Sequence, residues 1–340
     1  MDHRNYQIAI LYNEDSQIAR GDPQDLLAVQ CTITAAKNLH EALSSLGYQA
    51  IRIAAKGTLG DLEDELSSYS PKDTFIFNNC DGFEGVNIGA VDVVRLIERM
   101  GFKHTGSTPE AIQLCIDKPR AKERLLQAGV PTPKYQMFAK TEGQFMLEFP
   151  VIVKPSIEDA SMGIELCSVA TNMEDMFSRV AYIIEEYEQP AMVEQFVGGR
   201  ELAVGLWGNK TLELLPIAED DFSAIPDPLQ HVLTYESKWK PESFFFANIP
   251  SRIPASLTRK EEQAIRKVAE HTFRAVGLRD FGRMDIRFDN GIPYVIDINE
   301  LPDLSPDAGF WSQAKAAGMT YAQMVERILV HALKREGWLE

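Results

Sequence analysis

Four polar residues near the C-terminal end have types and spacing suited to metal and phosphate chemistry. Arg283 and Asp285 alternate with apolar residues in one segment, and Asp297 and Asn299 do so in the next. Because side chains two apart on a strand share a face, each pair points to one side. The Asp-Asn-Gly sequence at 289–291 predicts a hairpin that brings the pairs together. The side-chain oxygens of Asp285, Asp297 and Asn299 suit Mg²⁺, although the polar face of an exposed sheet fits the same pattern.

A second group of candidates lies in the middle of the chain. Lys154 follows an apolar stretch, and the polar loop at 156–163 after it contains Ser161. Backbone N–H groups of such a loop can bind phosphate, and a lysine beside it can neutralise phosphate charge. A lysine that only ends a strand, followed by an ordinary loop, is the alternative, because this loop is poor in glycine.

A third segment could bind a nucleoside. Residues 192–197 form an apolar strand that runs through two glycines to Glu201. A hinge that reads adenine through its backbone and ribose through a carboxylate has this form, and so does a plain hairpin. The sequence contains no Walker A motif, no G-x-G-x-x-G, no H-E-x-x-H and no G-x-S-x-G. P-loop, dinucleotide-binding, zinc-protease and serine-hydrolase functions therefore have no support.

The elements that position these residues begin with a βαβ pattern. Strands are predicted at residues 7–12, 49–54 and 73–77, and helices at residues 26–46 and 86–100. This alternation predicts a parallel sheet, whose ligands bind beyond the carboxyl ends of the strands. Asn79 and Asp81 follow the third strand at such an end and are candidate substrate contacts, although ordinary turn residues would look the same.

The rest of the chain predicts further lobes of mixed strands and helices. A helix begins at Asp117, and the stiff segment 130–133 follows a lobe boundary. Later elements are predicted as a strand at 164–169, helices at 172–186 and 259–275, and three strands after Arg200. The fold class is α/β, with α+β lobes after the first.

Composition limits the partners. The 340 residues carry 50 acidic against 34 basic side chains, a net charge of −16, which argues against nucleic acid and anionic membranes. Apolar runs are shorter than the roughly 20 residues that span a bilayer. The four cysteines show no CxxC spacing. These features predict a cytoplasmic protein with reduced thiols.

Several segments, taken in order, resemble the ATP-grasp superfamily and, within it, the D-alanine–D-alanine ligase family. The matching segments are residues 117–122 (Asp-Lys-Pro-Arg-Ala-Lys), 149–163, 193–204, 235–238 (Tyr-Glu-Ser-Lys) and 282–302. The resemblance implies an ATP-grasp fold with a Rossmann-like N-terminal domain at 1–107, a central lid domain at 108–196 and a metal-binding C-terminal domain at 197–340.

The resemblance also implies roles for individual residues. Arg283 and Lys238 would be catalytic, and Asp285, Asp297 and Asn299 would bind two Mg²⁺, for which Mn²⁺ can substitute. ATP would be held by phosphate-binding, hinge and ribose-binding residues, namely Lys118, Lys154, Ser161, Glu194, Gln195, Phe196, Val197, Glu201 and Lys238.

The amino-acid pockets depart from the family pattern. Asp297 replaces the usual Glu and remains a suitable ligand. The Glu–Ser–Tyr trio that clamps the first amino acid aligns with Ala28, Ala160 and Trp239, and the serine beyond the Asn-x-x-Pro-Gly turn falls near Ala308. We therefore expect substrates other than two D-alanines. The candidates for contacting them are Asn79, Asp81, Trp239, Glu300, Asp303 and Asp307.

The implied activity is an ADP-forming ligase that joins a carboxylic acid to an amine, both small molecules, through an acyl-phosphate. The alternatives are a true cell-wall D-alanine–D-alanine ligase, an ATP-grasp phosphotransferase and an ATP-binding protein without catalysis. Asp303 and Asp307 suit a cationic amine or form an acidic surface loop. The resemblance implies a homodimer.

Overall fold

The computed structural model describes residues 6–15 and 17–339, and its first sheet is parallel. This sheet has the strand order β2-β1-β3-β4 and consists of β1 (Gln7–Asn13), β2 (Gln49–Ala55), β3 (Thr74–Asn79) and β4 (Lys103–His104). The helices of this part are α1 (Leu26–Ser45), α2 (Leu59–Leu66), α3 (Gly89–Arg99), α4 (Pro109–Ile116) and α5 (Lys118–Gln127). The predicted βαβ pattern is confirmed, although helix α2 was not foreseen.

The second sheet is antiparallel and lies in the middle of the chain. Its order is β5-β8-β6-β7, with β5 (Tyr135–Phe138), β6 (Val151–Pro155), β7 (Val169–Ala170) and β8 (Ala191–Gln195), and α6 (Met173–Tyr187) packs against it. The strand predicted at 164–169 is wrong. Residues 166–168 form a 3₁₀ turn, because the Ser168 hydroxyl accepts a bond from the Glu165 N–H and replaces a ladder partner.

The third sheet is antiparallel and carries the predicted hairpin. Its strands are β9 (Arg200–Gly208), β10 (Leu212–Leu214), β11 (Ala218–Asp220), β12 (Ser251–Arg252), β13 (Phe281–Asp289) and β14 (Ile292–Asn299), in the order β12-β11-β9-β13-β14 with β10 beside β9. Asn290 and Gly291 form the turn with φ of 48° and 81°, as an Asn-Gly hairpin requires. The helices are α7 (Tyr235–Trp239), α8 (Phe244–Asn248), α9 (Arg259–Val276), α10 (Gly309–Ala316) and α11 (Tyr321–Arg335).

The hairpin strands separate an apolar face from a polar one. Met284 and Ile286 of β13 are fully buried in a core shared with helix α9, where Ile265, Ala269 and Phe273 lie. The alternate residues of the strand therefore point to the opposite side of the sheet.

Two helices pack outside the sheets nearest to them in sequence. Helix α5 contacts α9 and places Ala121 and Leu125 in the core of the third sheet. Helix α11 contacts α1 and shares a core with the first sheet. The predicted domain limits at residues 107 and 196 fall between sheets, but because of these helices the division remains a prediction.

Residues 221–250 lie within the stretch 219–254, for which the sequence predicts a loop, and they form a covering segment with two short helices, α7 and α8. The covering segment is bonded to the central part of the chain: Ser161 Oγ donates to the Leu233 carbonyl at 2.8 Å, and the Tyr235 N–H donates to the Ile164 carbonyl at 2.9 Å. In the described part of the chain, no helix combines the length and apolar character needed to span a membrane.

Candidate active site

The three sheets and the covering segment enclose a cavity of about 560 Å³. Its wall includes residues from the end of β6, the end of β8, the hairpin β13–β14 and the covering segment. The cationic side chains that line it are Lys118, Lys154, Lys238, Arg283 and Arg287. Ligand-binding cavities are commonly about 300–1,000 Å³, and the converging charged groups would orient an ionic ligand in this one.

The polar face of the hairpin forms one wall of the cavity. Arg283 lies opposite Asn299, and Asp285 lies opposite Asp297. Arg283 binds Asp285 through two bonds of 2.8 and 2.9 Å, and Asn299 Nδ2 donates to Asp285 Oδ2 at 3.2 Å. The pattern of the sequence therefore does bring these four side chains together.

A lysine from the first turn of α5 reaches the same wall. Lys118 Nζ lies 3.0 and 3.1 Å from the two carboxylate oxygens of Asp297, and 3.1 Å from Asp159 Oδ1. Burial would lower the pKa of Lys118, but these carboxylates outweigh it and raise the pKa. Burial would likewise raise the pKa of Asp297, but Lys118 and Lys154 hold it below its usual value. The pair is therefore fully charged.

A buried carboxylate at the end of β8 binds two lysines. Glu194 Oε1 lies 2.9 Å from Lys122 Nζ, and Glu194 Oε2 lies 2.6 Å from Lys154 Nζ. Lys122 Nζ also donates to Thr132 Oγ1 at 2.8 Å. The side chains of Lys122 and Glu194 are only 4% and 2% exposed. This triad links the predicted adenine hinge to a predicted phosphate-binding lysine.

The predicted adenine hinge continues from Glu194 to Val197. The N–H of Gln195 donates to the Lys134 carbonyl, and the N–H of Phe196 donates to the Pro150 carbonyl. Phe196 and Val197 line the cavity. Glu201, in β9, also lines it.

The phosphate-binding loop and the covering segment meet over the cavity. Ala160 and Ser161 both have positive φ, 53° and 62°, which turns the loop sharply. Trp239 Nε1 donates to the Ala160 carbonyl at 3.0 Å. Lys238, beside it, lines the cavity. Burial raises the pKa of Asp159, and the charges of Lys118 and Lys238 offset only part of this rise.

The predicted substrate residues fall into two groups. Asp81, Glu300, Asp303 and Asp307 line the cavity, as does Trp239. Burial, with help from Asp303 and other carboxylates, raises the pKa of Asp81 to about 8, and burial raises the pKa of Glu300 strongly. Raised carboxyl pKa values of this kind result from burial and are common at functional sites.

Asn79 belongs to the other group. Its side chain is buried, and Nδ2 donates to the carbonyl of Thr32 in α1 at 3.3 Å. Among the described residues it is not part of the cavity wall. Strand β3 continues through Asn79, and this residue therefore packs inside the first lobe while Asp81, beyond the strand end, reaches the cavity. The side chain of Ala28, aligned with the first member of the trio, lies outside the described residues.

Several residues of the site were not predicted. Arg287 follows Arg283 and Asp285 at the same spacing of two, and Lys122 lies one helical turn after Lys118, so periodicity could have found both. Asp220 lies opposite Glu201 across β11 and β9, and burial, with Glu201 and Asp285, raises its pKa to about 7. The sequence around Asp220 and Asp159 contains no comparable signal.

Comparisons with known proteins agree with this geometry. Residues 124–330 match the family model described as D-ala D-ala ligase C-terminus. A D-alanine–D-alanine ligase of Alcanivorax borkumensis is 32% identical over 242 residues, which cover 71% of this chain and 72% of the relative. The chain belongs to the D-alanine–D-alanine ligase family. The family resemblance is thereby confirmed.

Two other relatives match a larger share of the chain. An uncharacterised protein of Sinorhizobium fredii, y4sG, is 33% identical over 303 residues, with 86% of each chain covered. A D-alanine–D-alanine ligase of Methylacidiphilum infernorum is 29% identical over 314 residues, covering 92% of this chain and 93% of that ligase.

Solved structures confirm the fold. The D-alanine–D-alanine ligase of Bacillus anthracis in complex with ATP superposes with a TM-score of 0.74 at 19% identity, covering 97% of this chain and 98% of the other. The predicted ATP-grasp fold is therefore confirmed. As a member of this family, the protein is an ATP-dependent ligase that forms carbon–nitrogen bonds.

Proposed function

We propose that this protein joins a small carboxylic acid to an amine in specialised metabolism, with amino-acid pockets that differ from those for two D-alanines. The acid is activated by the γ-phosphate of ATP. The observation that carries the proposal is the lining of the cavity, which combines lysines and a hinge with buried carboxyl groups, Asp81 and Glu300, whose pKa is raised.

The cationic part suits a triphosphate. Lys118, Lys154 and Lys238 come from three different segments and converge on one cavity. Lys118 and Lys154 are now paired with Asp297 and Glu194, and phosphate oxygens would compete for the same ammonium groups. Fixed positive charge around phosphates lowers the barrier to phosphoryl transfer.

The hairpin residues fit Mg²⁺ that is shared with a nucleotide. No group of three or more His, Cys, Asp and Glu side chains suited to a metal occurs in residues 6–15 and 17–339. Asp285, Asp297 and Asn299 supply two carboxylates and an amide, and Mg²⁺ commonly takes one or two carboxylates plus phosphate oxygens. These three residues would hold the metal, with Mn²⁺ as a substitute, and the metal would neutralise phosphate charge.

The proposed reaction has two steps. A carboxylate oxygen of the acid attacks the γ-phosphorus, which breaks the bond to ADP and forms an acyl-phosphate. The amine, which has given up its ammonium proton to solvent, then attacks the acyl carbon; the bond to phosphate breaks, inorganic phosphate leaves, and a second proton passes from the nitrogen to solvent. Arg283, held at its position by two bonds to Asp285, would stabilise the negative oxygen that forms during this attack.

The substrate-binding positions support an altered specificity. Where the aligned trio has serine and tyrosine, Ala160 and Trp239 bond to each other, carbonyl to indole. Where the family's turn has glycine, Asp303 accepts bonds from the N–H and hydroxyl of Ser305. An amine arrives as an ammonium ion, so we propose that it enters beside Asp303 and Asp81.

The decisive experiment measures ADP and inorganic phosphate release from ATP and Mg²⁺ across single and paired amino acids, with mass spectrometry of the products. The panel includes D-alanine alone and amino acids with basic, neutral and acidic side chains. Phosphate release that needs a pair, with a product lighter than the sum by one water, is the expected result.

Other outcomes contradict the proposal in different ways. Efficient condensation of D-alanine with itself would show that the changed pockets still serve the cell-wall reaction. A phosphorylated acid that accumulates without any amine dependence would indicate a phosphotransferase instead.

A further inference from the structure

Arg287 contributes a charged group to the cavity that the roles above leave unused. It lies on the same face of β13 as Arg283 and Asp285, and it is only 4% exposed. A guanidinium buried to this degree needs partners that compensate the loss of water.

Those partners come from the nucleoside end of the cavity. Arg287 lies directly opposite Glu201 in the sheet, and its Nη2 is 2.6 Å from Glu201 Oε2. The guanidinium carbon lies 5.7 Å from the centre of the Phe196 ring and 5.6 Å from that of Phe222. Arg287 also donates to the His231 carbonyl of the covering segment. The side chain thus joins the hinge, Glu201 and the covering segment.

The charges around Glu201 make this contact necessary. Glu201 is 7% exposed, and the neighbouring strand places Asp220 directly opposite it. Burial raises the pKa of Asp220, and the negative charge of Glu201 raises it further. Among the described residues Arg287 is the cation paired with Glu201, and it fixes Oε2 of this carboxylate.

We propose that Arg287 is a positioning residue that sets the preference for ribose over 2′-deoxyribose in the nucleotide. With Oε2 held by Arg287, Oε1 of Glu201 is the acceptor presented to a ribose hydroxyl. The inference rests on the proposed ATP orientation, in which Glu201 faces the ribose.

The test measures binding of ATP and 2′-deoxy-ATP with Mg²⁺ by calorimetry, without acid or amine. We expect the unaltered protein to bind ATP about tenfold more tightly, the usual scale for a hydroxyl bonded to a charged acceptor. Arg287→Met should bring the ratio of the two dissociation constants close to one, and Arg287→Lys should retain part of it. Arg266→Met, on the exposed face of α9, is the matched control and should leave the ratio unchanged.

A mutant cycle with Glu201→Gln separates positioning from packing. If Arg287 acts through Glu201, adding Arg287→Met to Glu201→Gln weakens ATP binding no further, whereas a packing role would weaken it again. Equal weakening of both nucleotides in Arg287→Met, with the tenfold ratio kept, would overturn the inference while leaving the ligase proposal intact. Failure of the unaltered protein to bind ATP would overturn both. Should Arg287→Met not fold, Arg287→Lys and Glu201→Gln give the same comparison of the two nucleotides.

Discussion

Replacing Lys122 by methionine tests whether the buried triad at Glu194 stabilises the protein. Methionine keeps most of the apolar stem but removes the ammonium group, so Glu194 loses its partner at 2.9 Å. Removing one member of a buried ion pair typically costs about 3–5 kcal/mol, because the other charge stays desolvated. Lys154 still pairs with the second oxygen of Glu194 at 2.6 Å, and we therefore expect the lower end, about 3 kcal/mol.

The assay is thermal and urea unfolding of the purified protein. At roughly 2 °C per kcal/mol for a chain of this size, Tm should fall by about 6 °C. Lys56→Met is a matched control, because Lys56 pairs with Glu14 at 3.5 Å while both side chains are exposed, at 68% and 42%. We expect that control to lose less than about 0.5 kcal/mol.

A second variant identifies the cause of the loss. In Lys122→Met combined with Glu194→Gln, Lys154 also loses its carboxylate partner at 2.6 Å, and stability should fall by at least about 1 kcal/mol more than in the single variant. The reasoning is refuted if Lys122→Met is no less stable than Lys56→Met, or if the double variant is as stable as the single one.

Further predictions concern the metal and the acidic part of the cavity. Asp285→Asn should lower turnover at least about a hundredfold in the phosphate-release assay, and near-normal turnover would remove Asp285 from the metal site. Chelation with EDTA should abolish turnover, and Mg²⁺ or Mn²⁺ should restore it; activity that survives chelation would contradict the metal assignment. The pKa of Asp81 is about 8 in the folded protein, well above its value in the unfolded chain. Ionisation of Asp81 therefore lowers the free energy of unfolding, and this loss grows as pH rises from about 4 towards 8. Asp81→Asn should therefore be more stable than the unaltered protein at pH 9, by about 2 kcal/mol after allowance for solvent in the cavity, with a smaller gain at pH 5; equal gains would refute this.

The parts of the site that sequence could predict are those fixed by local information. The period of two in β13 and β14 and the Asn-Gly turn determine which side chains share a face, and the structure places Asp285 opposite Asp297 accordingly. The same is true of helix α9, which spans Arg259–Val276 where residues 259–275 were predicted. Such patterns need no knowledge of distant strands.

The parts that sequence could not predict depend on pairings between distant segments. Lys122 meets Glu194 across 72 positions, and Arg287 meets Glu201 only because β13 pairs with β9. The strand expected at 164–169 failed for a local reason, since Ser168 capped a 3₁₀ turn. Asn79 was predicted to face the cavity because the strand was expected to end at residue 77, but β3 continues to Asn79.

The return of helix α11 to the first lobe has a consequence for how the chain folds during synthesis. Ile328 and Leu329 are fully buried in one core with Ile8, Leu39 and Phe75 of the first lobe. The ribosome makes the parallel sheet first and this helix some 230 residues later, between His104 and Arg335. At about 5–20 residues per second, that apolar face waits roughly 10–45 s for its cover. The first lobe emerges first and is completed last, so chaperones have a long interval in which to bind it.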